Sequence, residues 1–246
     1  LSADGFSFSV FNPLNENELF FFDRKVEESL SLTANLKQTF REVEWLKHPY
    51  RRVNILMAGK RFTLVPLEFF EDEQTEMLFY HNHPKRENEV IQYNILRKNN
   101  TVVLFSMDKS ARSFLCEQYP NVRFYSQASS FIEHFSSKSR LGNNRKMYVH
   151  LRKEAAEIYA YERGRLAFAS TCGKMLPNYI ATTAITCSLP TLLSANRQQT
   201  VSITYYIYGN SSVSNKNATN YILPVSCSTK KLCSVNYENS SGRYSS

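Results

Sequence analysis

The chain has 246 residues, 42% of them apolar and 21% charged, enough to build a core in one large domain or two small ones. No apolar run is long enough to cross a bilayer, and no charged-then-apolar leader with a small-residue cleavage site is visible, so the expectation is a cytoplasmic protein with no membrane partner. The formal charge of +8 does not mark a nucleic-acid binder, because it is unevenly spread. From Ser170 onward one acid, Glu238, stands against six bases, which leaves residues 1–169 with 24 bases and 21 acids. The bases of that first part are scattered doublets (Arg51–Arg52, Lys60–Arg61, Lys85–Arg86, Arg97–Lys98), with no stripe that would track phosphates.

In chain order, Asp4-Gly5 signals a tight turn, and Phe6 to Phe11 alternate apolar and small polar residues as a half-buried strand does. The chain begins just before, on what reads as the end of a strand, so a truncated first strand is expected. Glu18 to Phe22 starts the next strand. Leu32, Leu36, Phe40, Val43 and Leu46 share one helix face, and Pro49 follows. Val53–Met57 and Phe62–Val65 read as strands. Glu71, Asp72 and Glu73 open a short helix, where negative charge suits the dipole. Val90–Leu96 and Thr101–Phe105 flank a hairpin turn at 97–100, and Asp108 can cap a helix running through Cys116. A strand over 121–125, a helix around Phe131–Phe135 and a polar loop over 136–144 come next. Then a meander follows: Met147–Leu151, Ile158–Tyr161, Leu166–Ala169. Strands, helix, strands, helix and fresh strands predict two similar α/β lobes. The expected limits are 1–138 for the first lobe and 139–170 for the opening strands of the second.

Candidate sites are few. His81 and His83 could supply two metal ligands but have no third nearby in sequence, which favours a surface cap at a helix end. Asp23, Glu27 and Glu28 read as an acidic cluster compensating a helix dipole. Cys116 reads as a small buried hydrophobe. Cys172, Cys187, Cys227 and Cys233 would suffice for two disulfides or one zinc site. None of these pairs has C-x-x-C spacing, and the expectation is neither.

Several stretches carry a family resemblance: L-S-A-D-G-F-S-F-S-V-F at the start, R-R-V-N-I-L-M-A-G-K-R-F-T-L-V-P at 51–66 and L-F-Y-H-N-H at 78–83. K-R-E-N-E-V-I-Q-Y-N-I-L-R-K-N-N at 85–100 and R-K-M-Y-V-H-L-R-K-E-A-A-E-I-Y-A-Y at 145–161 join them. Together, across residues 1–168, they resemble a bacterial domain-of-unknown-function family with the fold of the actin-like ATPases. The resemblance implies an α/β, ribonuclease-H-like fold of two lobes, and almost nothing about function. It also implies where nucleotide would sit, because actin-like ATPases hold phosphate in the first hairpin of each lobe. Such hairpins need a metal-positioning acid, glycines for close backbone approach and hydroxyl donors. In the first lobe only Asp4, Gly5 and Ser7 qualify as phosphate-binding candidates, with ATP and magnesium as the cofactors they would serve. In the second, Tyr148 to Ala155 contain no glycine. The expectation is a degenerate, non-catalytic relative that binds a protein partner. The rival is an ATP-binding phosphotransferase or ATPase using Asp4 and Ser7.

Past about residue 170 the text turns rich in Ser, Thr, Asn and Tyr and loses helical periodicity. A slipped reading frame accounts for this. Joining the third base of each codon to the first two of the next forces Leu at Tyr205–Tyr206 and at Asn220–Tyr221. It leaves only Trp or Arg at Tyr208–Gly209. Over residues 200–225 the same shift permits R-I-Y-Y-L-L-Y-I-W-K-Q-L-G-F-E-Q-E-R-D-E-L-H-L-T-G, an amphipathic helix followed by a strand. Residues 171–246 are therefore expected to be out of frame and poorly structured.

Overall fold

In a computed structural model, the described residues are 1–2, 5–11, 19–141, 145–151, 155–173, 201–207 and 223–225. The chain divides into two compact units, Leu1–His134 and Phe135–Ser246.

The first unit opens with β1 (Gly5–Phe11) paired antiparallel to β2 (Leu19–Lys25), Phe6 lying opposite Arg24 and Phe8 opposite Phe22. Alternation turns Phe6 and Phe8 into the core and leaves Ser7 and Ser9 in solvent. Helix α1 (Leu32–Glu42) begins where the Ser31 hydroxyl accepts from the Ala34 amide. Buried Asn35 fastens the preceding turn, donating to the carbonyls of Glu27, Leu30 and Ser31 and accepting from the Glu27 amide. The predicted apolar stripe is buried but only partly one helix face: α1 ends at Glu42, Val43 is extended, and Leu46 lies in a separate 3-10 turn over Glu44–Lys47. Leu36, Phe40 and Leu46 are buried with Phe6, Ile55, Ala111 and Leu115. Truncating Leu36, which is wholly buried, would cost roughly 2–5 kcal/mol.

Strand β3 (Val53–Met57) pairs in parallel with β7 (Val122–Ser126). Between them in sequence lies an antiparallel sheet in the order β4 (Phe62–Pro66), β6 (Thr101–Asp108), β5 (Glu89–Leu96). Helix α2 (Thr75–Asn82) supplies Phe79 to its core of Val65, Ile91, Val102 and Leu104. The β5–β6 turn carries Asn100 at φ 50°, a left-handed position that asparagine tolerates. Asp108 caps α3 (Lys109–Gln118) as its position predicts, accepting from the Ala111 amide at 2.7 Å. Asn94 of β5 stitches this sheet to β7, donating to the Phe124 carbonyl and accepting from the Ser126 amide.

Helix α4 (Gln127–Ser139) extends four residues into the stretch expected to be loop, and the division between the units falls inside it. The second unit then forms one sheet in the order β10-β9-β8-β11-β12. Strands β8 (Lys146–Leu151), β9 (Ala155–Glu162) and β10 (Arg165–Gly173) are the predicted meander. Arg163 and Gly164, at φ 50° and 77°, make its second turn. Gly164 is required there twice over, since a Cβ would also lie 2.7 Å from Arg140 Cγ.

Two strands fall inside the segment expected to be poorly structured. β11 (Val201–Ile207) runs parallel to β8, and β12 (Leu223–Val225) pairs antiparallel to β11. The physical reason lies in V-S-I-T-Y-Y-I, whose β-branched and aromatic residues favour extended backbone whatever frame produced them. The remainder of 174–246, with Cys187, Cys227 and Cys233, lies outside the described residues. Among the described residues, no helix is long and apolar enough to cross a membrane.

Candidate functional site

The hairpin proposed to hold phosphate begins at Gly5. Its backbone conformation is ordinary, and what demands glycine is the neighbouring strand: a Cβ would lie 2.9 Å from the Arg24 carbonyl oxygen. Two positions on, the exposed Ser7 hydroxyl donates to the Asp23 carboxylate at 2.5 Å, across a register in which the two residues face each other. Asp4 lies outside the described residues. The structure thus joins Ser7 to an acid on the next strand, which was assigned to another role. Asp23 sits in β2, eight residues before Ser31, and α1 has no acid in its first turn. The dipole reading of Asp23, Glu27 and Glu28 is corrected accordingly. The sequence spacing was consistent with a helix start, but β2 runs longer than its apolar residues suggest. Glu27 instead accepts from the Ser29 hydroxyl in the turn.

The histidine pair behaves as a helix end. His83 is the residue that terminates α2; its Nε2 lies 3.1 Å from the Phe62 carbonyl and its ring 4.5 Å from that of Phe79. His81 is exposed. Among the described residues, no three His, Cys, Asp or Glu side chains are grouped to hold a metal. Cys116 is half-buried, less enclosed than its apolar helical context suggested.

Two polar clusters emerge that sequence reasoning missed. In the first unit, Arg61 pairs with Glu89 at 2.7 Å, donates to the Pro84 carbonyl and lies over the Phe79 ring. Burial works against the Glu89 carboxylate, but the Arg86 amide and the Arg61 guanidinium outweigh it and hold its pKa below the ordinary glutamate value. In the second unit, His150 of β8 faces Glu157 of β9, with Nδ1 3.6 Å from Oε2, and the residues are 3% and 1% exposed. The Tyr159 hydroxyl donates to the same Glu157 oxygen at 2.9 Å. Phe135 stacks on Tyr148, and Ser139 donates to the Tyr148 hydroxyl, so the end of α4 covers this face. The signal was available: Tyr148 and His150, like Glu157 and Tyr159, stand two apart and so share a face of their strand.

Comparison with known proteins places the chain. Residues 1–171 match the family described as "Protein of unknown function (DUF3822)". The chain belongs to that family. A crystal structure from Bacteroides thetaiotaomicron VPI-5482, described as a protein with actin-like ATPase fold and unknown function, is 50% identical. It aligns over 86% of this chain and 80% of its own with a TM-score of 0.76. The DUF3822 chain is therefore a mixed α/β protein of the actin-like ATPase fold. It is also similar to a chain of the PilM-PilN type IV pilus biogenesis complex, at 12% identity and a TM-score of 0.44 over 85% of this chain and 80% of that one. No curated protein matches.

Proposed function

We propose that this DUF3822 member is a cytoplasmic protein that acts by binding a protein partner and does not turn over nucleotide. The observation that carries the reading is the Ser7–Asp23 bond at 2.5 Å. A hydroxyl that would have to donate to a phosphate oxygen donates instead to a carboxylate on the facing strand. Gly5 supports the same reading, because strand packing alone accounts for it. So does the second hairpin, whose connecting residues Arg152, Lys153 and Glu154 include no glycine to let backbone approach phosphate. Titrating magnesium ATP into the protein in a calorimeter tests this. No binding heat is expected at micromolar ligand, whereas a saturable, magnesium-dependent isotherm would establish the phosphotransferase or ATPase using Asp4 and Ser7.

We further propose that residues 171–246 are translated out of frame. Support comes from the near-absence of acids after Ser170 and from the forced leucines of the shifted codons. The nucleotide sequence from codon 160 onward checks it directly. Restoring the frame by one base should give a soluble protein that melts cooperatively, against aggregation or degradation of the chain as it stands. Equal solubility and cooperativity of the two would sink the idea.

A further inference from the structure

In the three-stranded sheet of the first unit, β4 and β5 are the outer strands. Register puts Val65, Val102 and Ile95 in one row across it and Thr63, Leu104 and Tyr93 in the next, all on the face that α2 covers with Phe79. Among the described residues that cover stops short of β5. Val65, Val102 and Leu104 are buried, whereas Ile95 is 40% and Tyr93 37% exposed. The 3-10 turn Leu67–Phe69 leads to the same place: the Phe70 ring lies 4.9 Å from that of Tyr93, and Phe69, next to it, is 67% exposed. This segment is tied down. The Leu67 amide donates to the Asn100 carbonyl at 3.1 Å, the Gln74 amide to the Glu71 carbonyl at 3.1 Å, and the Thr75 hydroxyl to the Asp72 carbonyl at 2.7 Å. Phe69, Phe70, Tyr93 and Ile95 therefore make an ordered apolar surface facing solvent.

Neither edge of this sheet invites a further strand. The Lys109 amide donates to the Asn88 carbonyl directly opposite, so along β5 the even-numbered residues bond to β6 and the odd-numbered ones point outward. The outward carbonyls of Ile91 and Tyr93 already accept from the side-chain amides of Gln92 and Asn94. On β4 the Phe62 carbonyl meets the His83 ring, and Pro66 has no N–H to give. A partner must therefore dock through side chains, and the rim of the surface selects its charge. Residues 67–77 hold Glu68, Glu71, Asp72, Glu73 and Glu76, all exposed, and no Lys or Arg, in a chain of formal charge +8. Among the described residues none of these acids is ion-paired with a base. Asp72 accepts from the Tyr93 hydroxyl, which raises that phenol's pKa and sets the acid at the apolar surface itself. Arg97 and Lys98 come only beyond Ile95, past the end of β5. Two copies meeting through this surface would bring their acids together, and anionic lipid or nucleic acid would be repelled.

Resting on the partner-binding reading above, we propose that this surface docks an amphipathic helix of the partner protein. The helix lays an apolar stripe over Phe69, Phe70, Tyr93 and Ile95 and sets lysines or arginines against the acidic rim. The probe is a fluorescently labelled amphipathic helix of leucine and lysine, titrated with the full chain at physiological salt and followed by anisotropy. A scrambled peptide of the same composition, which has no stripe, and the striped peptide with glutamate for lysine are the controls. The striped peptide should bind and the controls should not. Phe69→Ser and Ile95→Thr should each weaken binding by about tenfold, the effect of losing one anchor. Both positions are exposed, so thermal midpoints should stay near that of the parent chain. Glu68→Gln combined with Glu73→Gln should also weaken binding and flatten its dependence on salt. No binding, equal binding of the scrambled peptide, or full affinity in Phe69→Ser overturns the proposal. So does self-association of the parent chain in sedimentation that Phe69→Ser abolishes, because a second copy would then be the occupant. A positive magnesium-ATP isotherm would instead remove the partner-binding reading itself, and none of the peptide results bears on that titration.

Discussion

The hairpins that open the two units solve the same problem in opposite surroundings. Each sets a carboxylate on its second strand opposite a polar partner on its first: Asp23 facing Ser7, and Glu157 facing His150. In the first unit the pair stands in solvent. In the second it lies beneath the end of α4, 3% and 1% exposed, with Tyr159 bonded to the same acid. Water would satisfy Asp23 without Ser7, whereas Glu157 depends on the protein for its solvation. Glu89, paired with Arg61 at the edge of the three-stranded sheet, falls between them. The lesson is that burial of the partners, more than the length of the bond, sets what a polar pair is worth.

The largest effect should come from the buried pair. Glu157→Leu leaves His150 and the Tyr159 hydroxyl facing a hydrocarbon, and is expected to cost about 3–5 kcal/mol by urea denaturation. The double variant His150→Leu with Glu157→Leu should recover much of that loss, since an apolar pair needs no solvation. A double variant destabilised by the sum of the two single variants' losses would show that the two side chains act independently, and would undo the contrast between the hairpins.

How legible this was from sequence differs by level. Strand β3 was predicted to the residue, and the Asp108 cap and the 97–100 turn were read from turn and cap chemistry alone. Such signals are local, set by a few residues whose preferred backbone matches the fold. The partners of Ser7 and Glu89 were not legible, because the acids that meet Ser7 and Arg61 lie 16 and 28 residues away. Only strand pairing brings them together. The end of α4 was missed for a different reason: Ser136, Ser137 and Ser139 look like loop, yet Ser136 and Ser139 are buried and bonded to Gly164 and Tyr148. Tertiary contacts there override weak helix propensity.

The intermediate case sharpens the comparison through pH. Glu89 has a depressed pKa in the folded protein, so its pairing adds stability that is present above the unfolded glutamate pKa and is lost as pH falls through the folded value. Arg61→Met removes the guanidinium while keeping much of the packing over Phe79. Near neutral pH it should cost on the order of 1–3 kcal/mol. The gap between wild type and variant should narrow once both are acidified enough to protonate Glu89. Urea midpoints at pH 7 and in the acid limb measure this, and a gap that stays constant would assign the loss to packing alone.

The smallest effect belongs to the exposed hairpin, and it also probes function. Asp23→Asn keeps a hydrogen-bond acceptor for Ser7 while removing the charge, so the stability change should stay within roughly 0.5 kcal/mol. If the carboxylate were the only obstacle to phosphate, the same substitution would create a magnesium-ATP isotherm where the parent has none. None is expected, because neutralising Asp23 opens no close backbone approach. Gly5 still packs against the Arg24 carbonyl, and the sequence between β8 and β9 still reads Arg152, Lys153 and Glu154, with no glycine. Charge at Asp23 and the missing glycines are thus separable obstacles. A gain of nucleotide binding in Asp23→Asn would place the whole block on one side chain and mark the hairpin as a working phosphate site held off by its neighbour.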